Sequence, residues 1–89
     1  MAGRRDAKRD ILPIDLADAN LTRANLTHAH LTHAHLDVAY LDGAHLDGAD
    51  FTDANLTGVS WPERAPVPEG WIRVSESGRL IPADRLLTA

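Results

Sequence analysis

From Ile14 to Trp61 the chain places a large apolar residue at every fifth position: Leu16, Leu21, Leu26, Leu31, Leu36, Leu41, Leu46, Phe51 and Leu56. From Leu21 onward an alanine stands two residues before each of them, at Ala19, Ala24, Ala29, Ala34, Ala39, Ala44, Ala49 and Ala54. Ile14 opens the series in the alanine slot, and Val59 with Trp61 closes it with bulkier side chains. On an α-helix, at about 100° per residue, a step of five advances about 140°, so successive leucines would scatter around the axis. On a flat strand an odd step throws successive leucines to opposite faces. Neither backbone gives a continuous apolar face. One form results if the chain turns a corner once per five residues, always in the same sense, which directs every leucine and alanine to a common axis.

Segments such as Ala19-Asn20-Leu21-Thr22-Arg23, Ala24-Asn25-Leu26-Thr27-His28 and Ala54-Asn55-Leu56-Thr57-Gly58 resemble the A-(D/N)-L-x-x unit of pentapeptide-repeat proteins. The resemblance covers about half the chain, and eight consecutive units keep both inward positions. It implies an all-β fold, a right-handed quadrilateral β-helix with four pentapeptides per coil. The repeats would then supply about two and a third coils. Residues twenty apart would stack, giving columns Leu16/Leu36/Leu56, Leu21/Leu41/Trp61, Leu26/Leu46 and Ile11/Leu31/Phe51.

The 89 residues suit one small domain, and with only four aromatics the core must come from aliphatic columns. Each buried leucine contributes roughly 1.5–3 kcal/mol against a backbone-ordering cost of about 1–2 kcal/mol per residue. The margin is therefore small, and the ends of the stack matter. At about 4.8 Å per coil the array is only about 10–15 Å tall, and short arrays need caps or a partner to finish the core.

Three segments follow from composition. Residues 1–10 form a basic leader, with Arg4, Arg5, Lys8 and Arg9 against Asp6 and Asp10. Residues 11–61 carry the repeats, with Ile11-Leu12-Pro13-Ile14 as the lead-in; they hold seven aspartates against Arg23 alone. Residues 62–89 form a capping tail. Pro62, Pro66 and Pro68 break any regular ladder, so the chain leaves the repeats in an extended connection. Gly70 to Val74 then reads as a strand, Ser75 to Gly78 as a turn and Arg79 to Ile81 as a returning strand. Trp61 and Trp71 are expected to seal the end of the leucine columns, and Asp84 to cap a helical turn over Arg85 to Leu87.

No cysteine is present, which excludes a disulfide framework, a thiol nucleophile and a thiolate zinc site. Every apolar run is far shorter than the ~20 residues of a membrane helix, so a cytoplasmic protein with no membrane partner is expected. The acidic repeats argue against a nucleic-acid partner. Ser60, Ser75 and Ser77 lie in no nucleophile-elbow context and no phosphate-cradling loop occurs, so neither an enzyme nor a small-molecule substrate is expected.

The remaining candidate chemistry lies on outward positions. His28, His30, His33 and His35 form two His-x-His pairs, and stacking at twenty residues brings Asp50 beside His30 and Asp53 beside His33. Two imidazoles and one carboxylate per corner are a ligand set for zinc, nickel or copper. Solvated surface histidines are the simpler reading, so no metal or other cofactor is assigned. Asp37, Asp42 and Asp47 form a belt of carboxylates, each on a different side. Some pentapeptide-repeat proteins mimic duplex DNA and bind DNA gyrase. The acidity here fits that role, but one chain spans only about three or four base-pair steps. The expected function is a non-enzymatic structural or protein-interaction module, with an unnamed protein partner and homo-oligomer formation through the solenoid ends. DNA mimicry toward gyrase or topoisomerase, and metal binding, are the alternatives.

Overall fold

The structure, a computed structural model, describes residues 14–84. The lead-in from Ile11 to Pro13 and the helical turn expected over Arg85 to Leu87 lie outside the described residues, as does Ile11 of the Leu31/Phe51 column.

The architecture is built from one local event. In each pentapeptide the N–H three residues after the leucine donates back to the leucine carbonyl: Ala19 to Leu16 at 3.0 Å, Ala24 to Leu21 at 2.9 Å, Ala29 to Leu26 at 2.9 Å, and so on to Val59 and Leu56 at 3.1 Å. The third residue of each turn has positive φ, from Asp18 (65°) through Arg23, His28, His33 and Val38 to Gly43, Gly48, Asp53 and Gly58 (74°). A single left-handed residue at the third position defines a type II turn. Asparagine or aspartate just before the leucine reinforces it. Asn20, Asn25 and Asp50 each accept both the N–H and the hydroxyl of the threonine two residues on, with hydroxyl distances of 2.7, 2.7 and 2.6 Å. These polar side chains satisfy turn donors locally, which is why the A-(N/D)-L-T wording recurs.

Between turns the chain is extended for a few residues and pairs in parallel with the segment twenty residues away. Asp15 bridges His35, which bridges Asn55; Asn20 bridges Tyr40, which bridges Ser60; Asn25 bridges His45, and His30 bridges Asp50. Each of these parallel bridges spans four pentapeptides. Each rung is held on both sides, as in Leu16 N–H to His35 carbonyl at 2.7 Å and His35 N–H to Ile14 carbonyl at 2.8 Å. Among the described residues there is no α-helix.

The core follows the apolar period. Leu36, Leu41, Leu56 and Val59 are fully buried, and Trp61 is 2% exposed. Leu16, Leu21 and Leu26 at one end, and Leu46 and Phe51 at the other, are half-buried because each has a neighbour on one side only. Phe51 meets Trp61 edge-on at 5.4 Å between ring centroids.

The tail makes a hairpin of β1 (Trp71–Arg73) and β2 (Leu80–Pro82), antiparallel with Ile72 opposite Ile81. The hairpin docks edge-on. Leu80 N–H donates to the Val59 carbonyl at 2.9 Å, Gly58 N–H to the Leu80 carbonyl at 2.8 Å and Trp61 N–H to the Gly78 carbonyl at 2.9 Å. Arg79 clamps the joint, its guanidinium donating to the Gly58 carbonyl at 2.8 Å and lying 5.5 Å from the Tyr40 ring centroid. Leu80 is fully buried, a core residue supplied from outside the repeats.

Both tryptophans expected at the end of the columns meet the core: Trp61 is buried and Trp71, half-buried, packs against that core, while the backbone of the hairpin pairs only with Gly58 to Trp61. After Trp61 the register of the repeat is lost: the next turn bond runs from Ala65 N–H to the Pro62 carbonyl at 3.3 Å, one residue late, while Arg73 Nε donates to the Trp61 carbonyl at 3.2 Å, and the chain turns away before it can cover Gly43 to Leu56.

Two substitutions separate core filling from turn strain. Leu80→Ala is expected to lower stability by about 2–5 kcal/mol in chemical denaturation, the range for truncating a fully buried leucine. Val38 is a β-branched residue at φ 64° with 43% exposure, a backbone region costing an L residue roughly 1–2 kcal/mol. Val38→Asn is therefore expected to raise the denaturation midpoint, by up to about 1 kcal/mol of stability.

Candidate functional site

The four histidines of the His-x-His pairs occupy two kinds of position. His28 and His33 are third residues of turns, with φ of 62° and 63°, whereas His30 and His35 are rung residues bridged to Asp50 and to Asp15 and Asn55. The histidines therefore meet their partners along the stacking direction. The His28 imidazole lies against Gly48, where an added Cβ would collide with Nδ1 unless the ring moved. Glycine leaves that space free, and its φ of 73° is one that glycine adopts without strain. His33 Nε2 lies 3.9 Å from the Asp53 carboxylate, both side chains about two-thirds exposed.

His30 and Asp50 are rung neighbours, but the Asp50 carboxylate is engaged elsewhere. It accepts the Thr52 hydroxyl at 2.6 Å and the Thr52 N–H at 3.0 Å. The hydroxyl bond, then the N–H bond and, less strongly, the nearby His30 hold its pKa below the ordinary carboxylate value; the small desolvation it suffers acts the other way.

Among the described residues, no group of three or more His, Asp or Glu side chains converges as a metal site would require. The expected grouping of two imidazoles with one carboxylate at each corner is corrected accordingly. His28 lies beside Gly48 and His30 is bridged to Asp50, while His33 approaches Asp53 and His35 is bridged to Asp15 and Asn55. Stacking at twenty residues therefore sets a single carboxylate residue beside each of His30, His33 and His35, and none beside His28. Of the acidic belt, Asp42 accepts the Ser60 hydroxyl at 2.7 Å, a tie between rungs.

A second candidate lies where the repeats end. A groove of about 1320 Å³ runs between the edge from Gly43 to Ala54 and the connection from Trp61 to Trp71. Leu46, Phe51, Val67 and the two tryptophans give it an apolar lining, and Asp47, Asp50, Asp53, Glu63 and Glu69 border it with Arg64. Along that edge, Leu46 N–H, Gly48 N–H, Phe51 N–H and Asp53 N–H, with the Ala49 and Ala54 carbonyls, have no cross-rung backbone partner among the described residues. Their counterparts twenty residues earlier are all paired, as in Leu26 N–H to His45 carbonyl at 2.8 Å and Asp50 N–H to Ala29 carbonyl at 2.9 Å. The sequence did not announce this groove. Its outer wall is set by where Pro62 to Gly70 travels, and the proline run was the sole hint that the ladder stops there.

The repeated type II turns, the parallel rungs and the apolar axis define a β-helix type of fold. A family model described as pentapeptide repeats matches eight copies over residues 15–59, and the chain belongs to that family. Such proteins are generally non-enzymatic structural and protein-interaction modules. No curated protein and no solved structure shows a significant match to the chain. No helix among the described residues is long and apolar enough to cross a membrane.

The Asp50 environment gives a titration prediction. By NMR, its carboxyl is expected to titrate below the ordinary aspartate value of about 3.9, and to return toward that value in Thr52→Val. Because the folded pKa is depressed, the stabilising contribution is present above the unfolded pKa and is lost as pH falls through the folded one.

Proposed function

We propose that the chain is a non-enzymatic protein-interaction module that associates with copies of itself through the ends of a short solenoid. In this reading the turns wind a right-handed quadrilateral β-helix of about two and a third coils, placed in the cytoplasm. The observation that carries the proposal is the free backbone edge from Gly43 to Leu56, set beside the half-buried Leu46 and Phe51. An uncovered strand edge next to incompletely buried core is a template for a further strand, and natural sheets otherwise cover or break such edges. The opposite end also presents half-buried leucines, at Leu16, Leu21 and Leu26, with Ile14 45% exposed. A head-to-tail contact between unlike ends satisfies both.

Light scattering over a dilution series tests this. The mass is expected to exceed that of one 9.7 kDa chain at high concentration and to fall toward it on dilution. A mass of one chain at every concentration up to the solubility limit would overturn the proposal. A crystal structure of the assembly would fix handedness and coil number.

A further inference from the structure

We infer that the groove at the Asn55 end of the stack takes the basic leader, residues 1–12, of a second copy of this chain, laid along the free edge from Leu46 to Ala54 as a further part of a coil. The inference rests on the self-association just proposed and names its occupant. Three observations carry it.

The first is shape with backbone chemistry. About 1320 Å³ exceeds the roughly 300–1,000 Å³ of small-ligand pockets, and the groove follows an edge whose donors and acceptors stand unpaired among the described residues. A chain that turns with the edge satisfies it through its own N–H and C=O groups, side by side, as strand addition does at an exposed sheet edge. A small molecule has no matching ladder.

The second is charge. Five carboxylates, Asp47, Asp50, Asp53, Glu63 and Glu69, border the groove against one guanidinium, Arg64. Residues 1–10 carry Arg4, Arg5, Lys8 and Arg9 against Asp6 and Asp10, and they are the one net-basic stretch of the chain. Ile11 and Leu12 then supply apolar side chains for the lining formed by Leu46, Phe51 and Trp71.

The third is position. Ile14 receives the His35 N–H through its carbonyl, and Asp15 bridges His35, which bridges Asn55. Residues 1–13 therefore join the repeats at the end of the stack opposite the groove. A second copy set head to tail brings its leader to the groove of the first. The contact joins unlike surfaces, so it propagates instead of closing as a two-fold dimer.

Two full-length variants and one peptide test the inference. Arg4→Glu/Arg5→Glu/Lys8→Glu/Arg9→Glu reverses the leader and leaves the groove intact. Asp47→Asn/Asp53→Asn/Glu69→Gln neutralises the groove, and asparagine tolerates the left-handed backbone at position 53. The probe is a labelled synthetic peptide of residues 1–12, followed by fluorescence anisotropy at low and physiological salt; circular dichroism checks that both variants fold.

Each variant is expected to be monomeric where the wild type associates. The peptide is expected to bind the leader-reversed chain, more weakly as salt rises, and to bind the groove-neutralised chain about tenfold or more less tightly. Slower amide exchange at Leu46, Gly48, Phe51 and Asp53 on association of the wild type would place the added segment. If the leader-reversed chain associates as the wild type does, the leader is not the occupant and the self-association reading stands. If the wild type is monomeric while the peptide still binds the leader-reversed chain, each copy fills its own groove and the second-copy inference fails. A monomeric wild type with no peptide binding overturns both.

Discussion

The structure depends on a single hydrogen bond repeated along the chain, from the N–H in the alanine slot back to the carbonyl of the leucine three residues earlier. This bond closes a type II turn, sets one residue in the left-handed region and sends the chain around a corner before it can extend into a long strand. Because the turn recurs every five residues, the short extended pieces between turns meet segments twenty residues away. The rungs, the apolar axis and the outward histidines all follow from that spacing. A sheet of this kind has no long strands to lose, but it has two ends, and a stack this short has little interior between them.

The third turn position shows how the sequence manages the cost of the turn. Five of the nine carry glycine or aspartate, residues suited to a positive φ: Asp18, Gly43, Gly48, Asp53 and Gly58, and four of these lie in the second half of the repeats. Three of the glycines sit directly beside the larger side chains of the preceding neighbours: Gly43 beside Arg23, Gly48 beside His28 and Gly58 beside Val38. Asp53 instead approaches His33. At these corners side-chain bulk is matched by its absence, or by a carboxylate, twenty residues on. The corner histidines His28 and His33 therefore act locally as packing and pairing partners of Gly48 and Asp53.

The tail and the repeats complete each other on one side only. Leu80 enters the core from a segment with no repeat character, and its backbone bonds to Gly58 and Val59 extend the rung bearing Ser60 by an antiparallel strand. Switching from parallel to antiparallel pairing stops the winding, since the hairpin turns back instead of advancing to another corner. The same departure, which begins with the one-residue slip of the turn at Pro62 to Ala65, leaves the edge from Gly43 to Leu56 facing the groove. Capping at one side and opening at another are therefore two results of one change in chain direction.

The amino-acid order by itself determined which side chains face the axis, where the corners fall and that the chain belongs among five-residue repeats. It also placed the two strands of the hairpin, since the period, the Asn-Leu-Thr wording and the Gly-Pro punctuation act within a few residues of each other. It brought Asp50 beside His30 and Asp53 beside His33 once residues twenty apart were stacked. Only the tertiary structure decided that the histidines divide between turn and rung positions, that Asp50 is held by Thr52, that Leu80 belongs to the core and that the end of the repeats carries an acidic groove. The reason is range. The turn is written in five consecutive residues, whereas the groove exists because the path of Pro62 to Gly70 runs beside Gly43 to Ala54, a meeting of segments that no local pattern encodes.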